Sequence, residues 1–382
     1  MTPPVSPHGR WGRFEPGAAT SSSTDETRDA AFMARALELA QLGLGQTAPN
    51  PLVGAVVVSD GAIVGEGHHA RAGEPHAEVV AIGAAGRRAT GATLYVNLEP
   101  CNHEGRTPPC TDAILAAGIT RVVAAVKDPN PLAGGGADRL RAGGVTVDFG
   151  VLEAEANELN APFLASFSLQ RPWVTLKLAI SLDGAIADAE RTRGWLTGPL
   201  ARVEVQKLRA AHDAVAVGIA TAIADDPLLT ARIDPPPRAQ PVRIVFDRHA
   251  RLGANSVLAR TAREVPTVLI TTRTARLPAD LLKAGVEAIR ARNLDDALAK
   301  LKARGITSLL VEGGAGLAAS FLGEGSVDRL IIFQAPIVFG AGSLNAFAGV
   351  AVHDLAHAPR FHALRTERFG DDVMTIYSPT PL

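Results

Sequence analysis

The sequence predicts two α/β layer domains in tandem, and three observations carry that reading. Strands alternate with helices along nearly the whole chain, which is the pattern of a layered α/β fold. The chain of 382 residues is longer than one ordinary core fills. The alternation is also broken once, at Arg171-Pro172, after which a continuous apolar strand restarts it. The expected division is a disordered leader over 1–26, a first domain over 27–150, a linker over 151–172 and a second domain over 173–382.

The elements follow in order. Phe32, Met33, Ala36, Leu37, Leu39 and Ala40 recur at three- and four-residue steps, an apolar stripe on a helix that begins near Thr27 and stops at Gly43. Short strands over 53–58 and 62–65 flank Asp60-Gly61, a hairpin turn signal. A helix over 76–85, a strand over 93–97, a helix from Cys110 to Gly118 and a strand over 121–126 come next. A weaker helix and strand reach Phe149, and 151–160 is helical and acidic.

In the second half, strands are expected at 173–180, 214–218, 242–246, 265–271, 286–289, 308–311 and 329–333. Helices are expected at 199–211, 294–303 and 317–322. Asp234-Pro235-Pro236-Pro237 is a loop, because three prolines fit neither a helix interior nor a central strand.

Charge and composition exclude several function classes. A formal net charge of -1 gives no field that draws nucleic acid or an acidic membrane. No apolar run nears the roughly 20 residues that span a bilayer. The residues up to Asp25 hold Pro, Gly, Ser and Thr and no stretch of signal-peptide type, so the protein is expected in the cytoplasm. In that reducing compartment its two cysteines, Cys101 and Cys110, suit metal ligation or burial better than a disulfide.

Three features of the first domain converge on a metal. His76-Ala77-Glu78 stands at a loop-to-helix junction, Glu99-Pro100-Cys101 follows an apolar strand, and Pro108-Pro109-Cys110 opens the next helix. A catalytic zinc takes three protein ligands and leaves one position open, a count that one imidazole and two thiolates satisfy. Cysteines at helix starts gain from backbone N–H groups that stabilise thiolate. Glu78, two residues from His76, is poorly placed to ligate and well placed to move protons. Zinc nucleobase deaminases carry H-x-E followed by P-C-x-x-C. Here position 104 is Glu, and the second cysteine comes nine residues after the first. The competing readings are a closed structural zinc site or two unrelated buried cysteines.

These residues also resemble a known family. Pro49-Asn50-Pro51-Leu52-Val53-Gly54, the run Arg71 to Glu78 and the run Glu99 to Cys110 closely resemble the bifunctional deaminase/reductase family of riboflavin biosynthesis. Its members carry the long step between cysteines, which sets them apart from cytidine and tRNA-adenosine deaminases. The likeness continues in Ser181-Leu182-Asp183-Gly184, Trp195-Leu196-Thr197, Ala224-Asp225-Asp226-Pro227 and Val311-Glu312-Gly313-Gly314, and runs from about residue 27 to the end.

The resemblance implies a cytidine-deaminase-like three-layer α/β/α domain followed by a dihydrofolate-reductase-like α/β domain. It implies hydrolytic deamination of a diaminohydroxyphosphoribosylaminopyrimidine, then NADPH-dependent reduction of the ribosyl group to a ribityl chain. His76, Cys101 and Cys110 become ligands of one zinc ion, Glu78 the proton shuttle, and Asn50 and His69 pocket residues. Ala179, Trp195, Thr221, Asp225 and the run Gly314, Ala315, Gly316, Leu317, Ala318, Ala319 and Ser320 resemble NADPH contacts. Arg193, Arg209, Leu229, Arg232 and Glu312 resemble contacts to the phosphoribosyl substrate, with Arg209 and Arg232 suited to bidentate phosphate binding. Asp225 is the expected catalytic proton carrier of the second step. The glycine turn after strand 308–311 opens a helix whose N–H groups can hold a cofactor phosphate. A homo-oligomer, dimer or tetramer, is also implied.

Two positions depart from the family pattern. Ala133-Gly134-Gly135-Gly136 is shorter than the usual turn and lacks its basic residue, which bears on the deaminase-side phosphate contact. Arg248 stands where a small hydroxyl residue often meets the cofactor, so it either binds the ribose phosphate of NADPH or faces solvent. The runner-up reading is a deaminase whose second domain only binds or assembles; a nucleic-acid-editing deaminase is disfavoured by charge and the few aromatics.

Overall fold

The computed structural model describes residues 24–105, 108–351, 354 and 356–380; the leader expected at the N-terminus lies outside these up to residue 23. Two compact units divide the chain, one of the described residues up to Leu42 with Leu52–Leu159, the other of Gly43–Pro51 with Asn160 onward. No helix among the described residues is long and apolar enough to cross a membrane.

The first unit contains α1 (Thr24–Ala40), β1 (Gly54–Ser59), β2 (Ala62–His68), α2 (Ala77–Ala85), β3 (Thr93–Leu98), α3 (Cys110–Ala116), β4 (Arg121–Val126), α4 (Gly136–Ala142), β5 (Thr146–Phe149) and α5 (Glu153–Leu159). Residues 24–26, expected in the leader, are the first turn of α1. The apolar stripe marked only the part of that helix that is buried. The sheet order is β2-β1-β3-β4-β5, with β2-β1-β3 antiparallel and β3-β4-β5 parallel.

Because side chains alternate across a strand, Ala55, Val57, Leu94, Val96, Val122 and Ala124 face one way. They pack on Ala77, Ala81 and Ala85 of α2, Ile114 of α3 and Leu140 of α4. Helices α1 and α5 cover the other face. There Phe32 meets the Tyr95 ring, and Asp29 accepts from Tyr95 and from Arg121. Three layers result, as the family resemblance implied.

The second unit contains α6 (Ala161–Ala165), β6 (Trp173–Ile180), β7 (Ala185–Ala187), α7 (Pro199–Ala210), β8 (Ala214–Gly218), α8 (Ile219–Asp225), β9 (Val242–Phe246), α9 (Val257–Arg260), β10 (Thr267–Thr271), α10 (Ala279–Ala284), β11 (Glu287–Arg290), α11 (Leu294–Ala303), β12 (Ser308–Val311), α12 (Ala315–Gly323), β13 (Arg329–Gln334), β14 (Leu344–Asn345), β15 (Phe361–Phe369) and β16 (Asp372–Pro379). Nine strands form one sheet in the order β11-β10-β9-β8-β12-β6-β13-β16-β15, with β7 and β14 as a separate pair. From β11 to β13 every neighbour is parallel; β16 and β15 close the sheet antiparallel. A parallel sheet is covered on both faces, which is why these strands read as unbroken apolar runs. Val174, Leu176 and Leu178 pack with Leu298 and Leu301 of α11 and Phe321 of α12 on one face.

Gly43–Pro51 lies between α1 and β1 in the chain, yet it belongs with this second unit. Gln46 Nε2 donates to Pro236 O at 2.8 Å, and Arg238 N donates to Gly45 O at 2.9 Å. Nothing in the local pattern of that segment signals a partner some 190 residues away.

Candidate active sites

His76, Cys101 and Cys110 come together in the first unit. His76 caps α2, Cys101 follows the end of β3, and Cys110 is the first residue of α3. The loop between the cysteines closes because Thr111 N donates to Cys101 O at 3.3 Å and the Cys110 N–H points at Cys101 Sγ at 3.4 Å. Arg106 and Thr107, in that loop, lie outside the described residues. His76 Nδ1 stands 3.2 Å from Cys110 Sγ and 3.5 Å from Cys101 Sγ, and all three ligand atoms lie within 4.8 Å of one another. Around a tetrahedral zinc at ordinary bond lengths, a nitrogen and a sulfur ligand stand about 3.6 Å apart. The residues therefore fit the ion.

The electrostatics agree. The Cys110 thiol donating to Cys101, helped by His76, pulls Cys101 down to about 4. That neighbouring thiolate, and then burial, push Cys110 well up. Two buried thiolates repel, and a divalent cation between them removes the conflict. Glu78, 3 % exposed, completes the centre: burial raises its carboxyl, and its Oε2 has no hydrogen-bond partner. An unsatisfied buried carboxylate oxygen is costly, and this one lies in the first turn of α2, two residues after a ligand. His69 is 2 % exposed, stacks edge-on against His76 at 5.3 Å, and is fixed through Nδ1 by the Pro75 carbonyl at 3.2 Å.

The last glycine of the 133–136 turn has a packing cause. A Cβ on Gly136 would sit 1.8 Å from the Pro100 carbonyl oxygen, so only glycine lets α4 approach the turn that carries Cys101. Glu99 fastens the same turn, accepting from Ala137 N at 2.9 Å and Asp128 N at 3.2 Å. Asn50 is placed in Gly43–Pro51 and so belongs to the second unit by its contacts.

In the second unit a site forms at the carboxyl ends of the parallel strands, where open α/β sheets bind ligands. Arg209 of α7 meets Glu312, just past β12, in a two-pronged pair. Burial pushes the Glu312 carboxyl up, but Arg209 and then Lys177 outweigh it and hold it below the usual range. Lys177 of β6 had no sequence signal, being one charge in the apolar run Trp173–Ile180. Burial pulls its ammonium below the usual lysine range while Glu312 pulls it back. The fork that sequence reasoning gave to a substrate phosphate is thus already engaged: Arg209 spends Nε and Nη2 on Glu312 and Nη1 on Thr230 O. Arg232 is exposed and keeps more of its donors outward.

Beside this cluster, Gly314 caps α12 with extended backbone, and Thr221 Oγ1 lies 3.2 Å from where a Gly314 Cβ would be. A glycine turn opening a helix in this way is of the kind whose backbone N–H groups can hold a phosphate. Ala179 is the penultimate residue of β6, opposite Phe333 of β13, and Leu317 packs near Gly218 and Gly313. Trp195 is 72 % exposed beneath the Arg202 guanidinium. Arg193 donates to the Asp225 carbonyl, and burial raises the exposed-edge Asp225 carboxyl against the pull of Arg193. Leu229 is buried with φ of 52°, and Arg248 is exposed just after β9.

Comparison with known proteins assigns each unit a class. Residues 26–126 match the cytidine and deoxycytidylate deaminase zinc-binding region, and residues 172–375 match the RibD C-terminal domain. The chain is 44% identical over 352 residues to the riboflavin biosynthesis protein RibD of Aquifex aeolicus, covering 91% of this chain and 98% of that one. With its Escherichia coli counterpart it shares 42% identity, at 91% and 98% coverage. Among solved structures, RibD of Acinetobacter baumannii superposes with TM-score 0.82 at 39% identity, covering 93% of this chain and all of that one. A Thermotoga maritima diaminohydroxyphosphoribosylaminopyrimidine deaminase/5-amino-6-(5-phosphoribosylamino)uracil reductase does so with TM-score 0.82 at 37% identity and the same coverage. The chain belongs to the RibD family of riboflavin biosynthesis proteins.

Proposed function

We propose that the two units perform consecutive steps of riboflavin biosynthesis, each at the site built from its own residues. The enzyme is bifunctional, a zinc-dependent pyrimidine deaminase and an NADPH-dependent reductase in one chain. The observation that carries the first activity is the orphaned Glu78 Oε2 beside three convergent ligands.

Bound by His76, Cys101 and Cys110, zinc supplies Lewis acidity that makes water nucleophilic at neutral pH. Glu78 carries the first proton of the water to the ring nitrogen as its oxygen bonds the ring carbon, then carries the second from that hydroxyl to the amine, so the C–N bond breaks, ammonia leaves and a uracil remains. Its raised pKa suits both directions of transfer. His69, held by the Pro75 carbonyl, contacts the pyrimidine.

NADPH supplies the hydride of the second step. Gly314, Ala315, Gly316, Leu317, Ala318, Ala319 and Ser320 hold its phosphates at the start of α12, with Ala179, Trp195, Thr221, Asp225 and Arg248 as further contacts. Arg193, Leu229, Arg232 and Glu312 orient the phosphoribosyl substrate in its ring-opened form. Arg209 works through Glu312, whose carboxylate it keeps charged and fixed. Hydride arrival at the sugar carbon requires one proton on the neighbouring heteroatom, and Asp225 supplies it. The enzyme works in the cytoplasm as a homo-oligomer, a dimer or tetramer.

Ammonia release and NADPH oxidation test the two halves separately. Zinc-loaded protein should release ammonia from the diaminopyrimidine without NADPH, and should then consume NADPH in step with the uracil formed. Cofactor binding without turnover would leave the second unit a binding module.

A further inference from the structure

We propose that Asp183 is a positioning residue for the reductase step, fastening the exposed segment that carries Arg193 and Trp195 to the loop after β13. The inference rests on the cofactor and substrate roles proposed above for those two residues.

Residues 188–195 are largely exposed and gain little from apolar burial, so polar anchors at their ends decide where they lie. At the far end Gly198 N donates to the buried Asp372 Oδ2 at 2.7 Å. At the near end the side-chain anchor is Asp183, which adds to the backbone pairing of β7 with β14. Its carboxylate accepts from Phe339 N at 3.2 Å, Gly340 N at 2.8 Å and Ser181 Oγ at 2.5 Å. Ser181 is itself fully buried and accepts from Ala185 N at 2.9 Å.

The backbone repeats the link on either side. Leu182 N donates to Ile337 O at 2.8 Å, Ala346 N donates to Gly184 O at 2.9 Å, and β7 pairs with β14. Asp183 is the one side chain among these contacts that bridges both loops, and it reaches two backbone N–H groups that β pairing leaves over. The Ser181 hydroxyl, and then the Gly340 and Phe339 N–H groups, hold its carboxyl down to about 2, so the clasp stays charged throughout the neutral range. Segment 188–195 then runs between two fixed ends, with Arg193 tied midway to the Asp225 carbonyl.

Releasing one end lets the segment sample positions in which Trp195 and Arg193 are away from the cofactor. Apparent affinity falls by the fraction of time the competent position is lost. The test uses the full chain and NADPH as the probe, read by quenching of tryptophan fluorescence and by steady-state kinetics. Asp183→Ala should raise the KM for NADPH about fivefold or more and weaken NADPH binding in parallel. Deamination should stay within about twofold of wild type, because the zinc site lies in the other unit. Asp183→Asn, which keeps one acceptor oxygen, should fall between the two, and it decides the matter if the alanine variant unfolds. Unchanged NADPH affinity and unchanged reductase KM in Asp183→Asn and in a folded Asp183→Ala would overturn the proposal. A wild-type protein that bound no NADPH would instead overturn the cofactor assignment on which it rests.

Discussion

Arg209 and Glu312 form a two-pronged pair, Nε to Oε1 at 2.5 Å and Nη2 to Oε2 at 3.0 Å, at the carboxyl end of the central strands. Their side chains are 9% and 13% exposed, so each charge depends on the other. Removing one partner of such a pair costs about 3–5 kcal/mol because the other, still buried, loses its two-pronged counter-charge. Arg209→Met should therefore destabilise the second unit by that order and abolish NADPH oxidation. Arg209→Met with Glu312→Leu should recover much of the stability and none of the activity. Urea unfolding of the single and double variants checks this, and equal destabilisation by both would contradict it. The pH dependence has a definite sign. Glu312 has a depressed folded pKa, so its contribution is present above the ordinary carboxylate range and is lost as pH falls through the folded value.

Glu78→Gln removes the proton carrier and keeps side-chain size. It should retain one zinc per chain while ammonia release drops by roughly 10²–10⁴-fold. Metal content by atomic absorption together with an ammonia assay checks both statements. Activity within a few-fold of wild type would refute the shuttle role.

Stripping zinc should separate the two activities. Chelated protein should release no ammonia, yet it should still oxidise NADPH when given 5-amino-6-(5-phosphoribosylamino)uracil directly. That expectation follows from a metal-ligand cluster drawn only from the first unit and proposed NADPH contacts drawn only from the second. Loss of both activities on chelation, with the fold intact by circular dichroism, would count against it.

Lys177 carries a charge that its surroundings disfavour. Its folded pKa lies below the unfolded one, so between the two the unfolded state binds more protons. Stability should accordingly rise as pH climbs from neutral toward the usual lysine range. Lys177→Met should lack that rise, be at least as stable as wild type at pH 7, and fail to reduce substrate. Melting temperatures taken across that range decide it; parallel curves for the two proteins would remove the argument.

The zinc centre was legible in the sequence because ligand chemistry leaves few choices: the two cysteines, each after a proline, and one H-x-E define it. The parallel strands were legible because burial on both faces makes them apolar throughout, as in Trp173–Ile180 and Ala214–Gly218. The β15–β16 hairpin was not. Phe361–Phe369 is an edge strand with polar residues on both faces, and only Gly370-Asp371 marks its turn. Lys177 escaped notice because a single lysine in an apolar run has no periodicity. The pairing of Arg209 with Glu312 was not legible either, since the partner lies 103 residues away. The allegiance of Gly43–Pro51 is of the same kind, set by contacts that no local pattern encodes.

The central claim is that one chain deaminates a pyrimidine and then reduces its sugar. Chromatography of the products formed from diaminohydroxyphosphoribosylaminopyrimidine by zinc-loaded protein, with and without NADPH, tests it most directly. The phosphoribosylamino-uracil alone is expected without NADPH, and the phosphoribitylamino-uracil with it. Unchanged starting material in both, or the same product in both, would contradict it.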